Sequence, residues 1–177
     1  MTRRFLQFGL VALALAALAV TARATLANNV LTARLSGLNE VPPTTSRGTA
    51  TLHGTISDNE TFISFTLTFN NLTGNPLAAH IHFGQKKVNG GVMVFFCGGG
   101  GKPACPAATA GTVTGTITAA DIVGPAAQGI PPAPNGQFAD VVRAIRTGNA
   151  YANMHTAMFP AGEIRGQVLT GDDDNQQ

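Results

Sequence analysis

Apolar and polar side chains alternate along most of the chain. In TFISFTLTF, Ile63, Phe65, Leu67 and Phe69 alternate with Ser64, Thr66 and Thr68, which predicts a strand with one buried face. GTATLHGTIS alternates as well, with Ala50, Leu52 and Ile56 on one side and Thr51, His53 and Thr55 on the other. Six further stretches read as strands: NVLTARLSG, AAHIHFG, GVMVFFC, GTVTGTIT, AYANMHT and GEIRGQVLT. The turn-forming clusters SDNE, NLTGNP, VNGG and TGN lie between them. Around eight short strands in a body of about 140 residues predict an all-β, antiparallel sandwich or barrel.

Two stretches leave this pattern. NGQFADVVRAIRTGN places Phe138, Val141, Val142 and Ile145 at helical spacing. One short helix is expected there, with Asn135 as cap, Gly148 as stop, and Arg143 and Arg146 near the C-terminal end where cations are favoured. TAADI is expected to add a further helical turn. VGPAAQGIPPAPNG is a Pro/Gly-rich loop too short to separate two domains.

The first residues do not belong to this body. MTRR is a short basic start, FLQFGLVALALAALAV an apolar run, and Ala22–Ala24 an A-x-A arrangement. That is the layout of a secretory signal peptide, expected over residues 1–24 with cleavage after Ala24. A domain over residues 28–170 and a disordered acidic tail over 171–177 follow. No second long apolar run exists, so no membrane association is expected after cleavage, and the location expected is secreted or periplasmic.

Loss of Arg3, Arg4 and Arg23 turns the formal charge of +2 into −1, with 8 basic against 9 acidic residues. No basic stripe with interleaved aromatics remains, so nucleic acid is not an expected partner. Cys97 and Cys105 are the only cysteines, with seven residues including a glycine run between them. In an oxidising compartment they are expected to pair. The spacing is not that of a zinc knuckle.

Candidate chemistry lies on three strands. His80 and His82 share a face under the alternation rule, as do Tyr151, Asn153 and His155, and as do Glu163, Arg165 and Gln167. If those faces meet, imidazoles, a carboxylate and a guanidinium form one cluster. Three readings stand. A structural polar network is the commoner outcome for such clusters, with Glu163 paired to Arg165 or to a histidine. A metal site would use His80, His82 and His155, and imidazole suits zinc or copper. The third reading is a face holding an external extracellular or periplasmic ligand through Glu40, Asn153, Glu163 and Arg165. His53 is expected to be an ordinary exposed strand residue.

LSGLNEVPP (35–43), AHIHFG (79–84) and YANMHTAMFPAGEIRGQ (151–167) resemble, in order, the three signature blocks of the CHRD domain. That family is named after chordin, an extracellular antagonist of bone morphogenetic proteins that carries several copies. It also occurs singly in exported bacterial proteins. The resemblance spans about residues 30–170 and implies an immunoglobulin-like β-sandwich, without naming a reaction. It maps E-V-P-P onto Glu40, Pro42 and Pro43, H-I-H onto His80 and His82, N-x-H-T onto Asn153, His155 and Thr156, and G-E-I-R-G-Q onto Gly162–Gln167. With one copy and no cysteine-rich modules, growth-factor antagonism does not transfer.

The H-x-H on such a scaffold also invites comparison with copper/zinc superoxide dismutase. Four histidines, and no aspartate in the signature blocks, do not suffice for that two-metal centre. No G-x-S-x-G elbow appears. GGGG at 98–101 lacks a Walker pattern and is expected to be a hairpin tip. Asn59 and Asn71 fit the glycan acceptor pattern, which matters only in a eukaryotic secretory route. The sequence therefore points to an exported, non-catalytic binding or structural module, with a three-histidine zinc or copper site as the alternative.

Overall fold

Strand β3 (Phe62–Asn70) buries Ile63, Phe65, Leu67 and Phe69 and leaves the residues between them more exposed, as its alternation requires. The computed structural model describes residues 29–171; the expected leader and residues 172–177 of the expected tail lie outside the described residues. The other strands are β1 (Val30–Ser36), β2 (Thr49–Ile56), β4 (Pro76–Phe83), β5 (Gly91–Cys97), β6 (Gly111–Thr118), β7 (Ala150–Thr156), β8 (Ile164–Gln167) and β9 (Leu169–Thr170). GEIRGQVLT thus supplies two strands. They part at Val168, whose N–H donates to the Ala150 carbonyl.

All pairings are antiparallel, in the order β5-β4-β7-β8-β1-β2-β3-β6, with β9 beside β1. The domain is all-β with one short helix. Its single sheet curls around the core until the end strands β5 and β6 come near each other without laddering. The seam between them is bridged otherwise. Val123 N–H donates to the Met93 carbonyl at 2.9 Å, and Lys102 Nζ donates to the Thr116 carbonyl at 2.8 Å while pairing with Asp121.

Inside the curl, Leu52, Ile56, Ile63, Leu67, Ile81, Val94 and Ile117 are fully buried. Burying such side chains contributes roughly 1.5–3 kcal/mol each. Helix α1 (Phe138–Arg146) lays Phe138, Val141, Val142 and Ile145 onto this core beside β7 and β9. Gly148, at φ 68°, ends it, and Arg143 and Arg146 lie in its last turn.

Asn135 does not cap the helix. The cap position is Gln137, whose side chain bonds the Asn135 carbonyl instead of the helix N–H groups. Asn135 itself is held in the preceding turn by its N–H to the Pro132 carbonyl. TAADI forms a short 3-10 turn at Ala119–Asp121, closed by the Asp121 carboxylate on the Thr118 N–H and hydroxyl.

The disulfide joins Cys97 to Cys105 as expected. Its glycine loop turns back on itself, with Gly98 N–H donating to the Pro103 carbonyl and Lys102 N–H to that of Gly99. It is not a hairpin tip, because the strands it connects, β5 and β6, do not pair.

Candidate metal centre

β4, β7 and β8 are neighbours, and their register sets the site. His80 lies opposite Asn153, which lies opposite Arg165; His82 lies opposite Tyr151, which lies opposite Gln167; His155 lies opposite Ala78. Opposed residues share a face. The intervening Ala79, Ile81, Ala152, Met154 and Ile164 fill the core, so the polar rows occupy the outer face.

Two loops cover this face. Gly84 and Gly90 present their carbonyls to Gln167 Nε2 and His82 Nδ1, while Arg165 donates to Gln85 O, Val88 O and Asn89 Oδ1. From the other loop, Glu40 accepts a hydrogen bond from Asn153 Nδ2, and Asn89 Nδ2 donates to Val41 O to tie the two loops together. Gly162, at φ 133°, is needed here, since a Cβ at that position would stand 2.7 Å from Glu40 Oε1 and 2.8 Å from Asn153 Nδ2.

The three imidazoles converge. One ring nitrogen from each of His80, His82 and His155 lies within 4.8 Å of the other two. Ring centroids are 4.5 Å apart for His80 and His82 and 4.6 Å for His80 and His155. Phe95, whose ring is crossed by Gly99 and Gly100 of the disulfide loop, packs edge-on against His80.

Two rings are oriented by backbone. His82 Nδ1 is 2.8 Å from Gly90 O, and His155 Nδ1 is 2.9 Å from Pro160 O. A carbonyl only accepts, so each Nδ1 carries the proton and each Nε2 presents a lone pair. Both Nε2 atoms and His80 Nδ1 are buried without a partner. The only other such side-chain atom among the described residues is Asn153 Oδ1, across the ladder from His80.

Burial lowers all three histidine pKa values. His80 falls to about 2 and His82 to about 4, with desolvation first and the neighbouring rings adding to it, and His155 also falls. The rings are neutral around pH 7, which is the form that ligates metals.

Glu163 does not join this cluster, and the expected pairing with Arg165 or a histidine is not made. It lies one residue before β8, so strand alternation does not govern it. Its carboxylate accepts from Ser46 Oγ, Thr73 N, Thr73 Oγ1 and Thr156 Oγ1 at 2.6–2.8 Å. Those bonds hold its pKa below the usual carboxylate value despite burial. The carboxylate on the outer face is Glu40, pushed up to about 7 chiefly by desolvation. His53 is exposed on β2, away from the centre. The Gly90 and Pro160 carbonyls and Phe95 were not legible from composition or alternation, since backbone acceptors leave no side-chain signal.

The family model of the CHRD domain matches residues 31–168. The chain belongs to the CHRD family. The match covers every strand that carries the outer face, as the resemblance of the three sequence blocks implied. No curated protein and no solved structure matches the chain.

Proposed function

We propose that this CHRD-domain protein is an exported, non-catalytic module that holds one zinc or copper ion on His80, His82 and His155. One observation carries the reading: His80, His82 and His155 each bury a ring nitrogen without a hydrogen-bond partner, and the three rings bring a nitrogen of each within 4.8 Å of the others. Leaving such an atom unsatisfied costs roughly 1–3 kcal/mol, and three in one place are readily explained by an ion they share.

The surroundings support it. Metal-bound histidines characteristically donate their other N–H to a carbonyl or carboxylate, as His82 and His155 do to Gly90 and Pro160. Zinc–nitrogen distances of about 2.0–2.1 Å in a tetrahedron require ligand atoms about 3.3 Å apart. Zinc binding would draw the nitrogens, now within 4.8 Å of one another, in to that spacing. Three protein ligands leave a fourth position for water or a partner group. Holding the ion, as opposed to running a hydrolysis on it, is favoured by the carboxylates: Glu163 is committed to three hydroxyls and the Thr73 N–H, and Glu40 to Asn153. Export is supported by the leader pattern and by the disulfide, which suits an oxidising compartment.

The test is metal content of the chain lacking residues 1–24, dialysed after exposure to Zn²⁺ or Cu²⁺. About one ion per chain is expected, and H82A and H155A should lose it while remaining folded by circular dichroism. Absence of uptake of either ion, or uptake unchanged in both variants, would overturn the reading.

A further inference from the structure

We propose that the hollow between the 38–43 and 84–90 loops binds a small amphipathic anion, an aliphatic carboxylate in the first instance, with Arg165 as its counter-charge. The inference does not depend on the metal, because none of the three histidines lines this cavity.

The cavity holds about 300 Å³, the lower end of the range for small-molecule sites, roughly 300–1,000 Å³. Leu38, Val41 and Pro43 give it an apolar wall, and Lys86, Lys87 and Arg165 bring three cations to it. Leu38 is 77 % exposed, so its side chain is free to pack against a hydrocarbon body.

Arg165 supplies the second observation. It is only 2 % exposed, and a buried charge is normally paired with its opposite. Its hydrogen bonds go to neutral groups, two backbone carbonyls and the Asn89 amide oxygen. No carboxylate lies within 4.0 Å of it among the described residues. Glu40 also lines the cavity and is stabilised as an anion by the Arg165 charge, but it makes no ion pair with the arginine, and burial raises its carboxyl pKa to about 7. Lys86 and Lys87 are exposed and make no ion pair among the described residues. The hollow thus combines an excess of positive charge, three cations against the one carboxyl of Glu40, with an apolar wall, which fits a carboxylate head and a short hydrocarbon body.

The experiment is calorimetric titration of the chain lacking residues 1–24 with octanoate, octanol and inorganic phosphate, and co-sedimentation with phosphatidylcholine vesicles containing phosphatidylglycerol. Octanoate should saturate at one per chain, at least tenfold tighter than octanol or phosphate. The double variant K86Q/K87Q should weaken it about fivefold or more, and L38D should abolish it, both without loss of fold or of Zn²⁺ uptake. Non-saturable octanoate binding, equal binding of octanol or phosphate, or indifference to both variants would overturn the proposal. Vesicle binding without an octanoate response would assign the surface to a bilayer and overturn it equally.

Discussion

The Tyr151 ring lies parallel to that of His82, 6° from coplanar with centroids 4.5 Å apart. Arg165, from the strand on the other side of β7, sets its guanidinium 3.5 Å from the centre of the tyrosine ring. The tyrosine is thereby clasped between a candidate ligand and a buried cation, and its hydroxyl accepts the Gly90 N–H, so residue 90 holds both rings. Replacing Tyr151 by Leu should remove the stack and lower zinc affinity by about tenfold, the low end of what orienting groups contribute. Tyr151→Phe retains the ring and should stay close to wild type. Competition against a chromophoric chelator measures both.

Metal should also be visible in heat stability. An ion that binds only the folded chain adds about 2.7 kcal/mol at a free concentration one hundred times its Kd. Thermal unfolding in Zn²⁺ should therefore shift upward by several degrees for the wild-type chain, and not for H155A. Without metal, the three lowered histidines have a further effect. The unfolded chain binds more protons than the folded one below the ordinary histidine value of 6.5, so their contribution to stability falls as pH drops from 6.5 toward 4.

Glu163 has a separate role. Its carboxylate receives one N–H and three hydroxyls from the segments at 46, 73 and 156. Glu163→Ala should cost about 1–3 kcal/mol, since it leaves the buried Thr156 hydroxyl and the half-buried Ser46 hydroxyl without their acceptor, while zinc stoichiometry in the surviving folded fraction stays unchanged. With its folded pKa lowered, the stability it gives is present above its ordinary value of 4.5 and is lost as pH falls below that. Urea unfolding of wild type and Glu163→Ala between pH 3 and 7 should show the gap narrowing on the acid side.

Glu40 carries the opposite sign. Its folded pKa is raised from 4.5 to about 7 by burial, against the lowering influence of the Val41 N–H, Arg165 and Asn153. The folded chain holds an extra proton between those values, so stability falls as pH rises through that window. In E40Q this loss disappears. Its stability relative to wild type should rise by on the order of 1–3 kcal/mol between pH 4.5 and 8, read from urea midpoints.

How much of this the sequence carried depended on whether a residue sat within a strand. Period-two alternation held inside β4 and β7, so counting put His80 with His82 and His155 with Asn153 and Tyr151, while the meeting of the two faces came from the β4–β7 register. Glu163 escaped because it precedes β8, where the chain is still turning out of Gly162. Glu40 belongs to a loop that folds over the sheet, and no local pattern states which face a loop will cover. Arg165 was placed on the correct face, yet its partners are carbonyls of residues 85 and 88, groups every sequence contains. Asn135 was a sound cap by composition. The prolines before it carry the chain through a separate turn, and the helix starts three residues later. The cysteine pair needed only its spacing and the leader, because loop closure across glycines is local.

The seam between the two end strands of the curl bears on how the protein behaves in concentrated solution. An open sheet offers a row of free amide groups on which another molecule's strand can be templated, and polymerisation follows from such margins. Here Val123 occupies part of one margin, and Lys102, anchored by Asp121, places a charge on the other. A Lys102→Ala substitution leaves that second margin bare. The lysine's worth would be read in colloidal behaviour at high concentration more than in the melting temperature of a dilute sample.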